Sequence, residues 1–571
     1  MGNKVMISLG KVALAGTIGL SGIMSSLTVV EHKAAAAETV NQVNFTDKTK
    51  EFAEIFKTGN WDAAYEHLSK NLQAKLPKEQ LPGLITGLTG QFGKVKDVTF
   101  KNITKNAIHT NATFTVTTEQ GSYEVILHID AAGKVDDILF NTYAIPGKYT
   151  NPSYNHPEKY TEKQVVVGEG EFALPGVLTM PKGKGPFPVV VLVQGSGAHD
   201  MDATIASLKP FRDIAVGLAN EGVAVLRYDK RTYTHAIKSY LTPKFTIQDE
   251  TVIDANLAVE KLKSMPEIDK DNIFVFGHSQ GAFALPMIVE NDKQKDIKGV
   301  IGAAGPAGKF HELMLWQTEE QVKRAKEMNL PAEQIKAAEA QAAFFKEQFA
   351  LLDDPQYSLE NLPAGFQLST PYWWFSLRDF VPSEPMKKQT VPALLLQGGK
   401  DVQVPPSELE AWKQALKDRD NVDYKLYPDM FHMLVDFKGK ADGMTEYMAP
   451  GNVPQEFISD IAQWVKTGEI AEEVSKPAQP GKKVYWDGLL MKNGQIGKIT
   501  VKKPINLWKR EGGKLVFERI LKPGEQYRVY RYDNKFGGQY GLGGGYYITN
   551  MKGYVEYKTP SKAKLKELNG K

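Results

Sequence analysis

Three residue types at three separated places could together activate an oxygen nucleophile. The run Phe274-Val275-Phe276-Gly277-His278-Ser279-Gln280-Gly281 sets a serine between two glycines at the end of an apolar, strand-forming stretch, and an apolar helical stretch follows from Ala282. Chance supplies a Gly-x-Ser-x-Gly pentad roughly 0.15 times in a chain of this composition, so the motif needs its context. The context is a strand running into a helix, a corner that strains the serine backbone and favours glycine two positions to either side. A serine hydroxyl is almost inert until a base removes its proton, which demands an acid and a histidine downstream, in that order. His311 precedes the last strand-like runs, whereas His432 follows VDYKLYP (422–428), where a loop returns to the catalytic edge of a sheet; His432 is the expected base. LLLQGGKDVQVPP sets Asp401 just past the next-to-last strand, and it is the strongest candidate for the acid over Glu408, Glu410 and Asp436.

Acyl transfer also needs N–H donors where negative charge develops. The backbone N–H of Gln280, at the start of the helix after the serine, is one candidate. The loop Gln194-Gly195-Ser196-Gly197, directly after VVVLV, supplies the other through the Ser196 N–H.

Strands and helices must alternate to bring these places together. Apolar runs stand at 189–195, 223–229, 273–277, 300–305 and 392–399, with amphipathic stretches between most of them, the pattern of a parallel sheet covered on both faces. QVVVGEGEFALPGVLTMPKG (164–183) reads as an antiparallel opening hairpin. Residues 307–388 interrupt the alternation with a long helical stretch and the aromatic run Tyr372-Trp373-Trp374-Phe375, expected to form a lid and to line a substrate pocket or the lid's own core. Residues 38–148 read as helices followed by period-two strands, a separate α+β unit.

Together QGSGAHDMD (194–202), LRYDKR (226–231), GHSQG (277–281), QGGKD (397–401) and DMFH (429–432) make residues 160–470 resemble an α/β-hydrolase of the secreted carboxylesterase and dienelactone-hydrolase type. The stretch is also similar to the catalytic domain of prolyl-oligopeptidase-like enzymes. The resemblance implies a catalytic domain over 150–470 that cleaves a small-molecule carboxylic ester through an acyl-enzyme, with no cofactor and no metal. Cleavage of amides by the same triad is the alternative. The resemblance also makes His199, Asp200 and Asp202 loop anchors rather than metal ligands. Asp229, Lys230 and Arg231 are expected to form a structural polar network at a strand end, with a substrate contact as the alternative. Two departures stand out: Gln194-Gly195 where such enzymes usually carry His-Gly, and Thr232 where they often carry glycine after Lys-Arg. The 38–148 unit resembles a cone-shaped domain of unknown function that precedes hydrolases in secreted bacterial proteins.

Residues 1–37 read as an export signal, with Lys4 and Lys11 ahead of an apolar stretch (12–30) and alanines 34–37 as cleavage sites, which leaves no membrane span in the mature chain. Cysteine is absent, which excludes disulfides, thiolate metal sites and a cysteine nucleophile and suits a Gram-positive secreted or wall-associated protein. After a Pro-rich linker (471–483), residues 484–571 read as a small β-barrel resembling bacterial Src-homology-type wall domains. From Lys476 to Lys571 there are 21 Lys and Arg against seven Asp and Glu, +14, leaving −11 for the rest of a chain whose total is +3. Such a tail suits an anionic cell-wall polymer rather than nucleic acid outside a cell. A wall-binding protein with a non-catalytic hydrolase scaffold is the reading of another class.

Overall fold

A computed structural model describes residues 43–141, 147–470, 485–561 apart from 488, 493, 512 and 513, and residue 564. The segments expected to be an export signal (1–37) and a linker (471–483) lie outside the described residues. The chain divides into two compact units, Met1–Lys417 with Asn421–Ala462, and Asp418–Asp420 with Gln463–Lys571.

The larger unit opens with helices Val43–Thr58, Trp61–His67, Lys70–Lys75 and Leu81–Thr89, followed by strands β1 (Val95–Lys105), β2 (Thr110–Thr118), β3 (Ser122–Ile129) and β4 (Val135–Asn141). These form an antiparallel sheet in the order β1-β2-β3-β4. Leu72, Phe114 and Val125 are fully buried between helices and sheet.

Eight strands then build one sheet: β5 (Tyr160–Val167), β6 (Leu174–Pro181), β7 (Phe187–Val193), β8 (Ala224–Tyr228), β9 (Ile268–His278), β10 (Ile297–Ala303), β11 (Ala393–Gly398) and β12 (Val422–Tyr427). Their order is β12-β11-β10-β9-β7-β8-β6-β5. The β5–β6 hairpin is antiparallel and joins β8 antiparallel; all other pairings are parallel. This is the strand order of an α/β-hydrolase, and the continuous apolar runs are its doubly covered central strands. Val189, Val191, Ile273, Val275 and Ala393 are all sealed from solvent. Between β10 and β11 the chain leaves the sheet to form helices Phe310–Glu327, Ala332–Asp353, Pro371–Leu377 and Ser383–Lys388.

The opening helices and the β1–β4 sheet pack on the segment after β8. Ile237, from the short helix Ala236–Tyr240, is buried among their apolar residues. The Asp137 carboxylate accepts the backbone N–H groups of Ile237 (2.8 Å) and Lys238 (3.1 Å), and Lys238 Nζ reaches Asp136 at 2.7 Å.

In the smaller unit, strands pair as a three-stranded sheet, Gly497–Val501 between Gln526–Val529 and Val555–Lys558, and a five-stranded sheet. The latter runs Lys514–Leu521, Ile505–Glu511, Tyr546–Thr549, Gln539–Gly543, Arg531–Asp533. Ile499, Leu521, Val529 and Ile548 are fully buried in one small core.

Candidate active site

Ser279 stands at the junction of β9 and the helix Gln280–Asn291, with φ 56° and ψ −116°, a conformation that non-glycine residues avoid. Its N–H is held by Ala303 O of β10 at 2.9 Å. A Cβ on Gly277 would fall 2.4 Å from the carbonyl carbon of Gly281, and one on Gly281 would fall 2.4 Å from Val193 O. Both flanking glycines are therefore required by contact, and the corner presents the serine at the C-terminal edge of the sheet.

Asp401 follows the end of β11 in a turn pressed onto the loop after β12. A Cβ on Gly399 would meet Pro428 O at 2.6 Å, and Lys400 N–H donates to Met430 O at 2.9 Å. The buried carboxylate is held on both oxygens. Oδ1 accepts the N–H groups of Gln403 (2.8 Å) and Val404 (2.9 Å), and Oδ2 accepts from His432 Nδ1 at 2.8 Å. With its proton on Nδ1, the His432 ring has its basic lone pair on Nε2. A second histidine supports it from below: His278 Nε2–H donates to the His432 carbonyl at 2.7 Å. Burial pushes the His278 imidazole well below its ordinary pKa, so it serves as a neutral donor.

The loop after β7 approaches the serine closely, since a Cβ on Gly195 would lie 3.1 Å from Ser279 Cβ. The Gln194 side chain turns away and donates to Tyr228 O, so the departure from His-Gly leaves the glycine's role intact. His199 Nε2–H donates to Ser196 O at 2.7 Å, and burial holds its pKa at about 4. Asp200 accepts from Thr204, and Asp202 pairs with Arg227 and Lys209. These three side chains are occupied as anchors of the loop. No group of three or more His, Asp or Glu side chains among the described residues is arranged to hold a metal. Arg231 pairs with buried Asp254, and Asp229 accepts Met201 N–H at 2.8 Å.

Ser279, His432 and Ser196 line one cavity of about 50 Å³. Its walls come from Phe310, Leu313, Met314 and Gln317 of the lid, and from Ile205, Gln403, Met433 and Tyr447. The aromatic run does not reach it. Trp373, Trp374 and Phe375 are 5, 3 and 6 % exposed and lie in the hydrophobic core, one layer behind Phe310, whose ring packs edge-on against Trp373 at 5.4 Å. Tyr372 is half-buried, with Lys244 Nζ over its ring at 5.7 Å. The pocket expected of residues 372–375 is corrected accordingly: these rings support the wall rather than form it. The true lining was signalled in the sequence, because 310, 313, 314 and 317 share one helix face.

The chain is similar to known proteins. A family described as serine aminopeptidase, S33, matches residues 188–436. Esterase EstD of Thermotoga maritima is 32% identical over 415 residues, 72% of this chain and 93% of that one. Among solved structures, Est1E from Butyrivibrio proteoclasticus is 19% identical, with 47% of this chain and 90% of that one covered and a TM-score of 0.32. An esterase of Pyrobaculum calidifontis is 17% identical, with 55% and 86% covered and a TM-score of 0.36. Strand order, the strained serine and the 32% identity across 93% of an esterase chain lead to one assignment: this chain belongs to the esterase-type serine hydrolases of the α/β-hydrolase fold.

Proposed function

We propose that the protein hydrolyses small, uncharged carboxylic esters through an acyl-enzyme carried on Ser279. The observation that carries the reading is the buried Asp401–His432 pair opening onto the same cavity as Ser279. Ser279 Oγ attacks the ester carbonyl while its proton passes to His432 Nε2. The oxyanion accepts hydrogen bonds from the backbone N–H groups of Ser196 and Gln280. Collapse expels the alcohol, which takes the proton from His432. Water then attacks the acyl carbon, gives a proton to His432, and the acid leaves as Ser279 regains it.

Ester cleavage is favoured over aminopeptidase chemistry by the cavity walls. An aminopeptidase must hold a substrate ammonium, and a buried ammonium needs a carboxylate partner. No Asp, Glu, Lys or Arg lines this cavity among the described residues. Its small volume and apolar lid face suit short acyl groups. A panel of p-nitrophenyl esters and aminoacyl p-nitroanilides tests this: acetate and butyrate should turn over faster than decanoate, and the anilides not at all. Preferred cleavage of the anilides overturns the ester reading.

The charge distribution supports a site of action outside the cell. We propose that residues 1–37 direct export and that residues 484–571 hold the enzyme to an anionic wall polymer. No helix among the described residues is long and apolar enough to cross a membrane.

A further inference from the structure

Lys230 lies two residues past the end of β8 at Tyr228 and is 2 % exposed. Its ammonium carries three N–H donors and meets three acceptors: Gly195 O at 2.6 Å, Gln280 Oε1 at 3.2 Å and Glu250 Oε1 at 2.8 Å. Glu250 Oε2 in turn accepts from Gln280 Nε2 at 2.9 Å and from Trp373 Nε1 at 2.7 Å. One buried cation thus touches the peptide that carries the Ser196 N–H and the side chain of the residue that carries the Gln280 N–H.

The first contact has a directional consequence. In a trans peptide the carbonyl and the N–H point to opposite sides. Gly195 O and Ser196 N–H belong to the same peptide, so fixing the oxygen on Lys230 turns the N–H the other way, and a cation on the oxygen strengthens the N–H as a donor. The next two carbonyls are restrained as well: Ser196 O accepts from His199 at 2.7 Å and Gly197 O from Thr232 Oγ1 at 3.3 Å. Three successive carbonyls of the loop are therefore held by side-chain donors. The threonine that replaces the family's glycine supplies one of them.

We propose that Lys230, buttressed by Glu250, is the positioning residue of the oxyanion site and orients both backbone donors at once. The proposal rests on the reading of Ser196 and Gln280 as those donors. Lys230 does not touch substrate; it acts through the Gly195–Ser196 peptide and the Gln280 side chain.

The test is Lys230→Met in the full chain, with kcat and KM for p-nitrophenyl butyrate and the inhibition constant of an alkyl trifluoromethyl ketone, whose serine adduct places an oxyanion in the same hole. Positioning predicts a fall in kcat of roughly 10- to 100-fold, short of the effect of deleting a donor outright, with KM within about twofold. Inhibition by the ketone should weaken by the same factor as kcat. Unchanged kcat and ketone affinity in a folded Lys230→Met overturn the proposal. So does an equal loss in Arg231→Met, which breaks the neighbouring buried pair with Asp254 and should cost stability only. If Lys230→Met does not fold, Gln280→Met removes the carboxamide that Lys230 and Glu250 hold and keeps the backbone N–H. That variant must show the same joint fall, and its absence also overturns the proposal. Ser279→Ala separates the two levels. Turnover that survives in it removes the nucleophile assignment itself, whereas a dead Ser279→Ala beside an unaffected Lys230→Met removes only the role of Lys230.

Discussion

Asp401 commits both carboxylate oxygens, and that makes its replacement informative. In Asp401→Asn the two backbone N–H groups of Gln403 and Val404 keep the side-chain oxygen, so the amide nitrogen must face His432. The ring proton then moves to Nε2, where the base is needed. Turnover should fall about ten-thousand-fold with little change in melting temperature; full activity returns the acid to another carboxylate. Gly281→Ala fails differently, because a methyl group 2.4 Å from Val193 O cannot be absorbed by a side-chain rotation. It should cost about 1–3 kcal/mol of stability in urea titration and displace the serine. Ser279, Asp401 and His432 stand out in the sequence as candidates because the chemistry restricts residue type and chain order, and only two histidines follow the serine. The contacts of His278 and Lys230 were not, since each joins strands distant in the chain and leaves no spacing to read.

The strands of the central sheet could be read from their apolar runs, while the lid could be read only in part. Composition marks Trp373 and Trp374 as buried without saying against what. Their helix, Pro371–Leu377, packs on Phe310 and Phe349. The helix Phe310–Glu327 lines the Ser279 cavity instead, through residues one and two turns apart. Leu313→Ala combined with Met314→Ala should therefore raise the rate on decanoate relative to butyrate. Trp373→Ala should lose about 3–5 kcal/mol of stability and leave that ratio unchanged. The reverse outcome in the ester panel returns the acyl wall to the aromatic run.

At the scale of the molecule, the contact between residues 43–141 and the hydrolase includes buried polar groups that no sequence pattern announces. His128 Nε2 donates to Tyr233 O at 3.0 Å, and His235, whose Nε2 donates to Ala173 O at 2.8 Å within the hydrolase, packs against His109 with ring centroids 6.1 Å apart. Burial, and for His235 then the charge of Lys238, lowers the pKa of His235 to about 3. The folded protein keeps this ring neutral while the unfolded chain protonates it below about pH 6.5. Its contribution is complete above that pH and is lost as pH falls towards 3. The stability gap between the parent and His235→Gln should narrow by about 2 kcal/mol between about pH 7.5 and about pH 5, read by thermal denaturation; a constant gap contradicts a buried neutral His235. The basic tail answers to ionic strength instead. Retention on purified walls should fall steeply towards about 1 M salt, where the Debye length is a few ångströms. Removal of residues 476–571 should abolish retention and spare ester hydrolysis; a truncated enzyme that still sediments with walls contradicts the assignment.

The nucleophile itself is tested most directly by intact-mass analysis of the protein after treatment with a fluorophosphonate. The parent should gain one phosphonyl group, mapped to Ser279 by peptide fragmentation, with loss of ester hydrolysis in proportion to labelling. Ser279→Ala should gain none. A label on another residue, or equal labelling of the variant, contradicts the account.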